Sequence, residues 1–247
     1  MLDFTVQIAG EIIRLKAQYE TLHRYCRDYL CDGTPSFTVE TTPEDVEFER
    51  LKSEKEDQRL GVPTRIFPIS YLEGLAAYRK IVQKLLCYDT LLLHGSAIAV
   101  DGEAFLFSAT SGTGKSTHTA FWRELFGDRA VMVNDDKPLI RIRKDGAHIY
   151  GTPWDGKHRL SNNISVPLKA FCILERGEEN RIVPISPSEA LPMLMQQSSR
   201  PSDPAQMGTY LHLLDRLSHQ ISFYRLSCTP DREAAIVAYE GMTGKRP

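Results

Sequence analysis

The stretch "FLFSATSGTGKSTHTAFW", residues 105–122, carries the residue types that can cradle a phosphate. Gly112 and Gly114 let backbone N–H groups approach an anion at a helix N-terminus without Cβ clashes. Lys115 supplies positive charge for terminal phosphates, and the Ser116 hydroxyl suits Mg²⁺. The expected nucleotide cradle is therefore Ser111, Gly112, Thr113, Gly114, Lys115, Ser116 and Thr117. The pattern G-x-x-x-x-G-K-[ST] asks for glycine where this chain has Ala109. Alanine is the smallest substitute and is tolerable there if the backbone is extended.

A second group of residues follows the strand-like "AVMVN". Asp135 and Asp136 stand where an apolar strand ends, the place for a metal-binding acid beside a phosphate loop. Two adjacent carboxylates project differently, so one can take a metal and the other a hydroxyl proton. Further along, "GTPWDGKHRL" (151–160) mixes Trp154, Asp155, Lys157 and Arg159 without periodicity. That composition suits a substrate loop, with Lys157 and Arg159 toward phosphate and Trp154 stacking on or covering the site; an ordinary surface loop with Trp154 in the core is the alternative. Arg200, between two helical stretches, reads more readily as a solvated loop residue than as a lid arginine.

The elements that must position these groups follow from patterning. Residues 3–16 alternate about Ala9-Gly10 as a hairpin, 18–30 has helical spacing, and "PSFTVET" reads as a strand. The charged run 44–61 reads as a solvated helix or loop, and 71–88 as an amphipathic helix. "LLLHGSAIAV" is one apolar β-type run, joined through Asp101-Gly102, a hairpin signal, to "EAFLFSA". The phosphate loop and a helix to about Phe126 come next. Strands then fit "AVMVNDD", "PLIRIR", "AHIYGTP", "PLKAFCILERG", "RIVPIS" and "ISFYRLSC", with helices over 187–198, 203–219 and 231–242. The pattern divides into a small α+β lobe over residues 1–70 and a β-rich nucleotide core over 71–247.

Bulk properties narrow the function classes. The chain has 247 residues, 42% of them hydrophobic and 25% charged, with a net charge of −2. A sizeable core is expected, and no global attraction to nucleic acid or acidic membranes. The five cysteines are scattered without a C-x-x-C pair, so neither a disulfide framework nor a zinc site is indicated. No run approaches the roughly 18 apolar residues of a membrane span, and the N-terminus lacks a signal-peptide core. The expected location is a reducing cytoplasm.

With "LLLHGSAIAVDGEAFLFSATSGTGKS" and "VNDD" in view, the chain resembles the catalytic domain of HPr kinase/phosphorylase, and in particular a group of short bacterial HPr-kinase-like proteins that carry "GTPWDGKHRL". That family shares its fold with ATP-type phosphoenolpyruvate carboxykinase, whose loop "SGTGKT" is similar to the "SGTGKST" here. The resemblance implies an α/β (α+β) fold: a carboxykinase-like P-loop core with mixed and antiparallel sheets, plus the small N-terminal lobe. It places His94, 21 positions before Lys115, near the transferred phosphoryl group. It also implies ATP and Mg²⁺ as cofactors, Asp136 as the base, and Asp135 with Ser116 in the metal shell. His94 and Lys115 join Asp136 as catalytic candidates. Where the family has a metal-binding Glu in "EIRG", this chain has His148 in "HIYG", so the metal shell falls to Asp135 or Asp155. The implied activity is transfer of a phosphoryl group to a hydroxyl of a peptide, a protein or a small alcohol, with a nucleotide as partner and a homo-oligomer left open. A carboxykinase-like enzyme on a carboxylated metabolite, which would need more converging arginines, and a non-catalytic nucleotide-binding module are the alternatives.

Overall fold

The computed structural model describes every residue except Ser111. It divides into two compact units, Met1–Lys84 and Leu85–Pro247. In the first, strands β1 (Leu2–Ile8) and β2 (Glu11–Ala17) form the expected hairpin. Its turn residues Ala9 and Gly10 both take positive φ, as a two-residue hairpin turn requires. Strand β3 (Phe37–Glu40) lies parallel to β2. The helical pattern of 18–30 yields a shorter helix α1 (Glu20–Tyr25), closed by a 3₁₀ turn over Arg27–Tyr29.

The charged run is a helix, α2 (Pro43–Leu60), started by a capping box between Thr42 and Asp45. Helix α3 (Ile69–Leu85) belongs almost wholly to this first unit rather than to the second, so the division falls one helix later than residue 70. The reason is polar. The fully buried Glu73 of α3 accepts hydrogen bonds from the backbone N–H groups of Gln18 (2.6 Å) and Tyr19 (3.1 Å) and from the Thr41 hydroxyl (2.7 Å). Arg79 and Lys80 of α3 pair with Glu49 and Asp45 of α2. A buried carboxylate cut off from those donors would be strongly destabilising, which ties α3 to the N-terminal strands and α2.

The second unit is built on a nine-stranded mixed sheet. Its strands are β4 (Thr90–Leu92), β5 (Ser96–Val100), β6 (Glu103–Ser108), β7 (Ala130–Asn134), β8 (Leu139–Ile142), β9 (Ala147–Tyr150), β10 (Ser165–Arg176), β11 (Arg181–Pro184) and β12 (Ser222–Cys228). The order is β4-β8-β9-β10-β6-β5-β7, with β12 also beside β10 and β11 beside β12. β10 is the hinge of this arrangement. Its first residues pair antiparallel with β9, whereas the rest pair parallel with β6 and β12, across a register shift between Leu168 and Ala170.

Residues along β5 alternate between two apolar clusters. Ala97 and Ala99 face one that contains Tyr210, Leu213 and Leu217 of α6 (Pro204–Ser218) and Leu194 of α5 (Pro187–Gln197). Ile98 and Val100 face the other, with Trp122 and Phe126 of α4 (Lys115–Phe126) and Ala235 and Tyr239 of α7 (Glu233–Thr243). Helices thus cover both faces, and the buried strands read as continuous apolar runs. No helix among the described residues is long and apolar enough to cross a membrane, and all five cysteines are free.

The apolar run expected as one strand is two. β4 lies at an edge against β8, and β5 sits between β6 and β7. The chain leaves the ladder between them at Leu93–Gly95. Gly95 is needed for close approach, because a Cβ there would lie 2.7 Å from the Phe107 carbonyl oxygen. His94 is delivered at this break.

Candidate functional site

Strand β6, a short loop and helix α4 present the glycine-rich segment. Asp101 and Gly102 take positive φ and close the β5–β6 hairpin, so the loop follows an antiparallel pair, as the turn signal predicts. Gly112 (φ +79°) and Gly114 (φ +117°) have left-handed backbone that a side chain would strain. Ala109, by contrast, is not among the positive-φ residues, which is the condition under which alanine can replace the first glycine. Its methyl is fully buried in the cluster around Phe105, Phe107 and Trp122. Helix α4 starts at Lys115 with no side-chain cap, so its first N–H groups and positive dipole end are directed at the loop. Ser111 lies outside the described residues; the other cradle positions, Gly112, Thr113, Gly114, Lys115, Ser116 and Thr117, surround the helix start.

Lys115 Nζ donates to the Ala109 carbonyl at 3.3 Å. Burial lowers the pKa of its ammonium, while the charges of Asp136 and Asp135 work in the opposite direction. That coupling brings the loop lysine and the carboxylate pair into one electrostatic neighbourhood.

The carboxylates leave β7 in different environments. Asp135, 6% exposed, accepts from the Ser96 hydroxyl at 2.6 Å. Ser96 in turn meets the Thr119 hydroxyl at 2.8 Å, and Thr119 bonds back to the carbonyls of Lys115 and Ser116. This buried chain of hydroxyls connects the first turn of α4 to the end of β7. Asp136 is paired on both oxygens: His94 Nε2 lies 2.8 Å from Oδ1, and Lys137 Nζ 3.2 Å from Oδ2. Burial pushes the Asp136 carboxyl up, but the hydrogen bonds and charges of His94 and Lys137 outweigh it and hold the group at about 2.

Several positioning residues escape sequence reasoning. Gln197, at the end of α5, places Oε1 2.8 Å from His94 Nδ1, and its carbonyl accepts from the His94 N–H. Asn134 is fully buried. Its Oδ1 accepts from the N–H groups of Asp136 (2.9 Å) and Lys137 (2.6 Å), and Nδ2 donates to the Thr152 carbonyl at 3.2 Å. It shapes the turn that separates the two carboxylates. Arg176, at the end of β10, donates to the Gly112 carbonyl at 2.6 Å and clasps the loop from outside. Asn134 stands inside the quoted "VNDD" and so had a local signal; Gln197 and Arg176 had none.

The segment 151–160 divides. Asp155 accepts from the Ser161 N–H at 3.1 Å; its carboxyl is pushed up mainly by burial, and Asp135 adds to this through its charge. Gly156 passes so close to Asp135 that a Cβ would lie 3.0 Å from Oδ2. Lys157 and Arg159 are exposed, and Arg159 takes a positive φ. Trp154 corrects the stacking expectation. It is 3% exposed and Asn134 Nδ2 bonds its carbonyl, so the indole plugs the interior and offers no face to a ligand. His148 sits within β9 opposite Arg141 and Pro167, its Nδ1 3.3 Å from the Gly146 carbonyl.

The described residues hold no group of three or more His, Cys, Asp or Glu that could cage a metal. A magnesium ion does not require one: it takes one or two carboxylates, together with waters and phosphate oxygens. Asp135, with Asp155 beside it and a serine at the start of α4, matches that donor chemistry.

A glycine-rich loop at a helix start, facing a carboxylate pair in a mixed α/β unit, defines the class of site. The family model described as "SynChlorMet cassette protein ScmC" matches residues 69–229, and the chain belongs to that family. Among solved structures, the HPr(Ser) kinase/phosphatase from Coxiella burnetii is similar to it, at 10% identity and a TM-score of 0.37, over 62% of this chain and 88% of that one. No curated protein matches the chain.

Proposed function

We propose that the chain is an ATP- and Mg²⁺-dependent kinase that transfers the γ-phosphoryl group to a hydroxyl, that of a serine in a peptide or protein or of a small alcohol. The observation that carries this reading is the loop of Gly112 and Gly114 at the start of α4, with Asp135 tied to that helix's first turn through the Ser96 and Thr119 hydroxyls and Asp136 paired to His94. The α4 N-terminus, Gly112, Gly114 and Lys115 hold the phosphate oxygens. Asp135 and Ser116 would hold Mg²⁺, which when bound would supply positive charge to neutralise that developing on the phosphates.

Asp136 receives the acceptor hydroxyl. As the acceptor oxygen bonds to the γ-phosphorus, the bond from that phosphorus to the ADP oxygen breaks, and the hydroxyl proton passes to Asp136. A carboxylate held at about 2 is a weak base. Its main contribution is therefore to aim the hydroxyl, the proton moving late in a loose transition state. His94, fixed by Gln197, and Lys137 fix the carboxylate in turn. Lys157 and Arg159, exposed beside Asp155, supply positive charge at the acceptor side, and the free thiols suit a reducing cytoplasm.

The test is ADP formation from ATP and Mg²⁺ with serine peptides and with small alcohols as acceptors. Transfer to a hydroxyl is expected, abolished by Lys115→Ala. A chain that binds nucleotide equally well with and without Lys115, and forms no ADP with any acceptor, would overturn the reading.

A further inference from the structure

Helix α4 carries a buried group with no role in the chemistry above. His118, in the first turns of α4, is 4% exposed and is packed edge-on against Phe107, the ring centroids 4.5 Å apart. Trp122 Nε1 lies 3.0 Å from its Nε2. An indole nitrogen can only donate, so Nε2 of His118 must accept and cannot carry a proton. Burial reinforces this by lowering the imidazole to about 3. The ring is therefore neutral, and its one proton is on Nδ1.

Among the described residues the ring has one side-chain hydrogen-bond partner, Trp122, which leaves the Nδ1–H to be used. His118 lines a cavity of about 440 Å³ beside the loop, together with Gly112 and Thr117 and with the apolar walls Phe121, Leu174 and Pro230. That volume is within the range of small-molecule sites, which combine apolar walls with a few fixed polar groups.

We propose that this cavity holds the nucleoside half of the phosphate donor, with the Nδ1–H of His118 donating to an acceptor atom on the edge of the base. The inference rests on the phosphate-loop reading, since Gly112 and Thr117 belong to both sites. Phe121 gives the base an aromatic wall, and Trp122 fixes the histidine tautomer, so His118 selects by position and by a donor whose identity does not change with pH. Trp122 is thus a positioning residue, acting through His118.

The test compares the affinities of ADP and of inorganic pyrophosphate by calorimetry. His118→Phe removes the donor, and one neutral hydrogen bond corresponds to a loss of about 3- to 10-fold in ADP affinity. Phe121→Ala removes the wall and is expected to lose roughly 5- to 100-fold, on the scale of base–aromatic stacking. His118→Gln, which keeps an acceptor for Trp122 and a donor for the base, should restore most of the affinity. Pyrophosphate binding should change by no more than about twofold in all three, because no phosphate contact is altered. If His118→Phe does not fold, the half-buried Phe121 remains informative. The proposal is overturned if ADP and pyrophosphate weaken together, or if the wild type binds ADP no more tightly than pyrophosphate. In that last case the phosphate loop still stands; a wild type that binds neither removes both.

Discussion

Nε2 of His94 lies 2.8 Å from Oδ1 of Asp136, joining the break between β4 and β5 to the turn after β7. In the proposed reaction Asp136 aims and receives the hydroxyl proton, a role that typically contributes about 10²–10⁴-fold in rate. Asp136→Asn should slow turnover by that order and leave ATP·Mg²⁺ affinity nearly unchanged in calorimetry. Wild-type turnover in this variant would remove Asp136 from the chemistry and make His94 the next base to test.

The same pair predicts a pH dependence of stability. The Asp136 carboxyl is held at about 2 against an ordinary 3.8, so the ionised form favours the folded state. Its contribution is fully present above the ordinary value and is lost as the pH falls through the folded one. Wild type should therefore lose stability between pH 3.8 and about 2 more steeply than Asp136→Asn. Thermal unfolding across that window checks this; parallel curves would contradict it.

Lys115 is half-buried and directed at the loop entrance. Replacing it with alanine removes a charge-assisted contact to phosphate, and on the order of 10- to 100-fold in nucleotide affinity should go with it. Unchanged affinity would dismiss the loop as the phosphate site.

Ala109→Gly separates the motif from the packing. The pattern would be completed, yet nucleotide affinity should not rise, because the backbone there is not left-handed. Stability should fall by about 1 kcal/mol, from the lost buried methyl and the added chain freedom. A gain in affinity would show that the cradle was short of a glycine after all.

Ser96→Ala cuts the hydroxyl chain between α4 and Asp135, leaving a buried carboxylate short of a donor. A loss of about 1–3 kcal/mol in unfolding free energy is expected, along with a higher Mg²⁺ requirement for turnover. If only stability changes, Asp135 is a structural residue and the metal assignment moves to Asp155.

What could be read from the residues was what local physics determines. The β5–β6 hairpin, the strand–loop–helix around Lys115 and the strand end at Asp135 each have a turn, period or capping signal within a few positions. The break at Leu93–Gly95 was hidden because both halves are equally apolar, and only the approach of Gly95 to the Phe107 carbonyl explains it. Gln197 and Arg176 reach the site by tertiary packing from distant helices and strands, which no spacing records. Trp154 misled because a tryptophan among polar residues reads alike whether it covers a ligand or fills the core.

Strand β10 has one further consequence, for how the chain acquires its site. The loop-bearing β6 and its neighbour β5 precede β10 by a long stretch of sequence, and β12 follows it by another. Parallel pairs of this separation cannot form until the intervening chain is present, and closing such large loops slows folding. During synthesis the glycine loop therefore emerges early but stays without Arg176 against Gly112 until the end of β10 has been made, and β10 stays an open edge until β12 arrives. A chain truncated before β12 should expose that edge and aggregate rather than leave a working fragment.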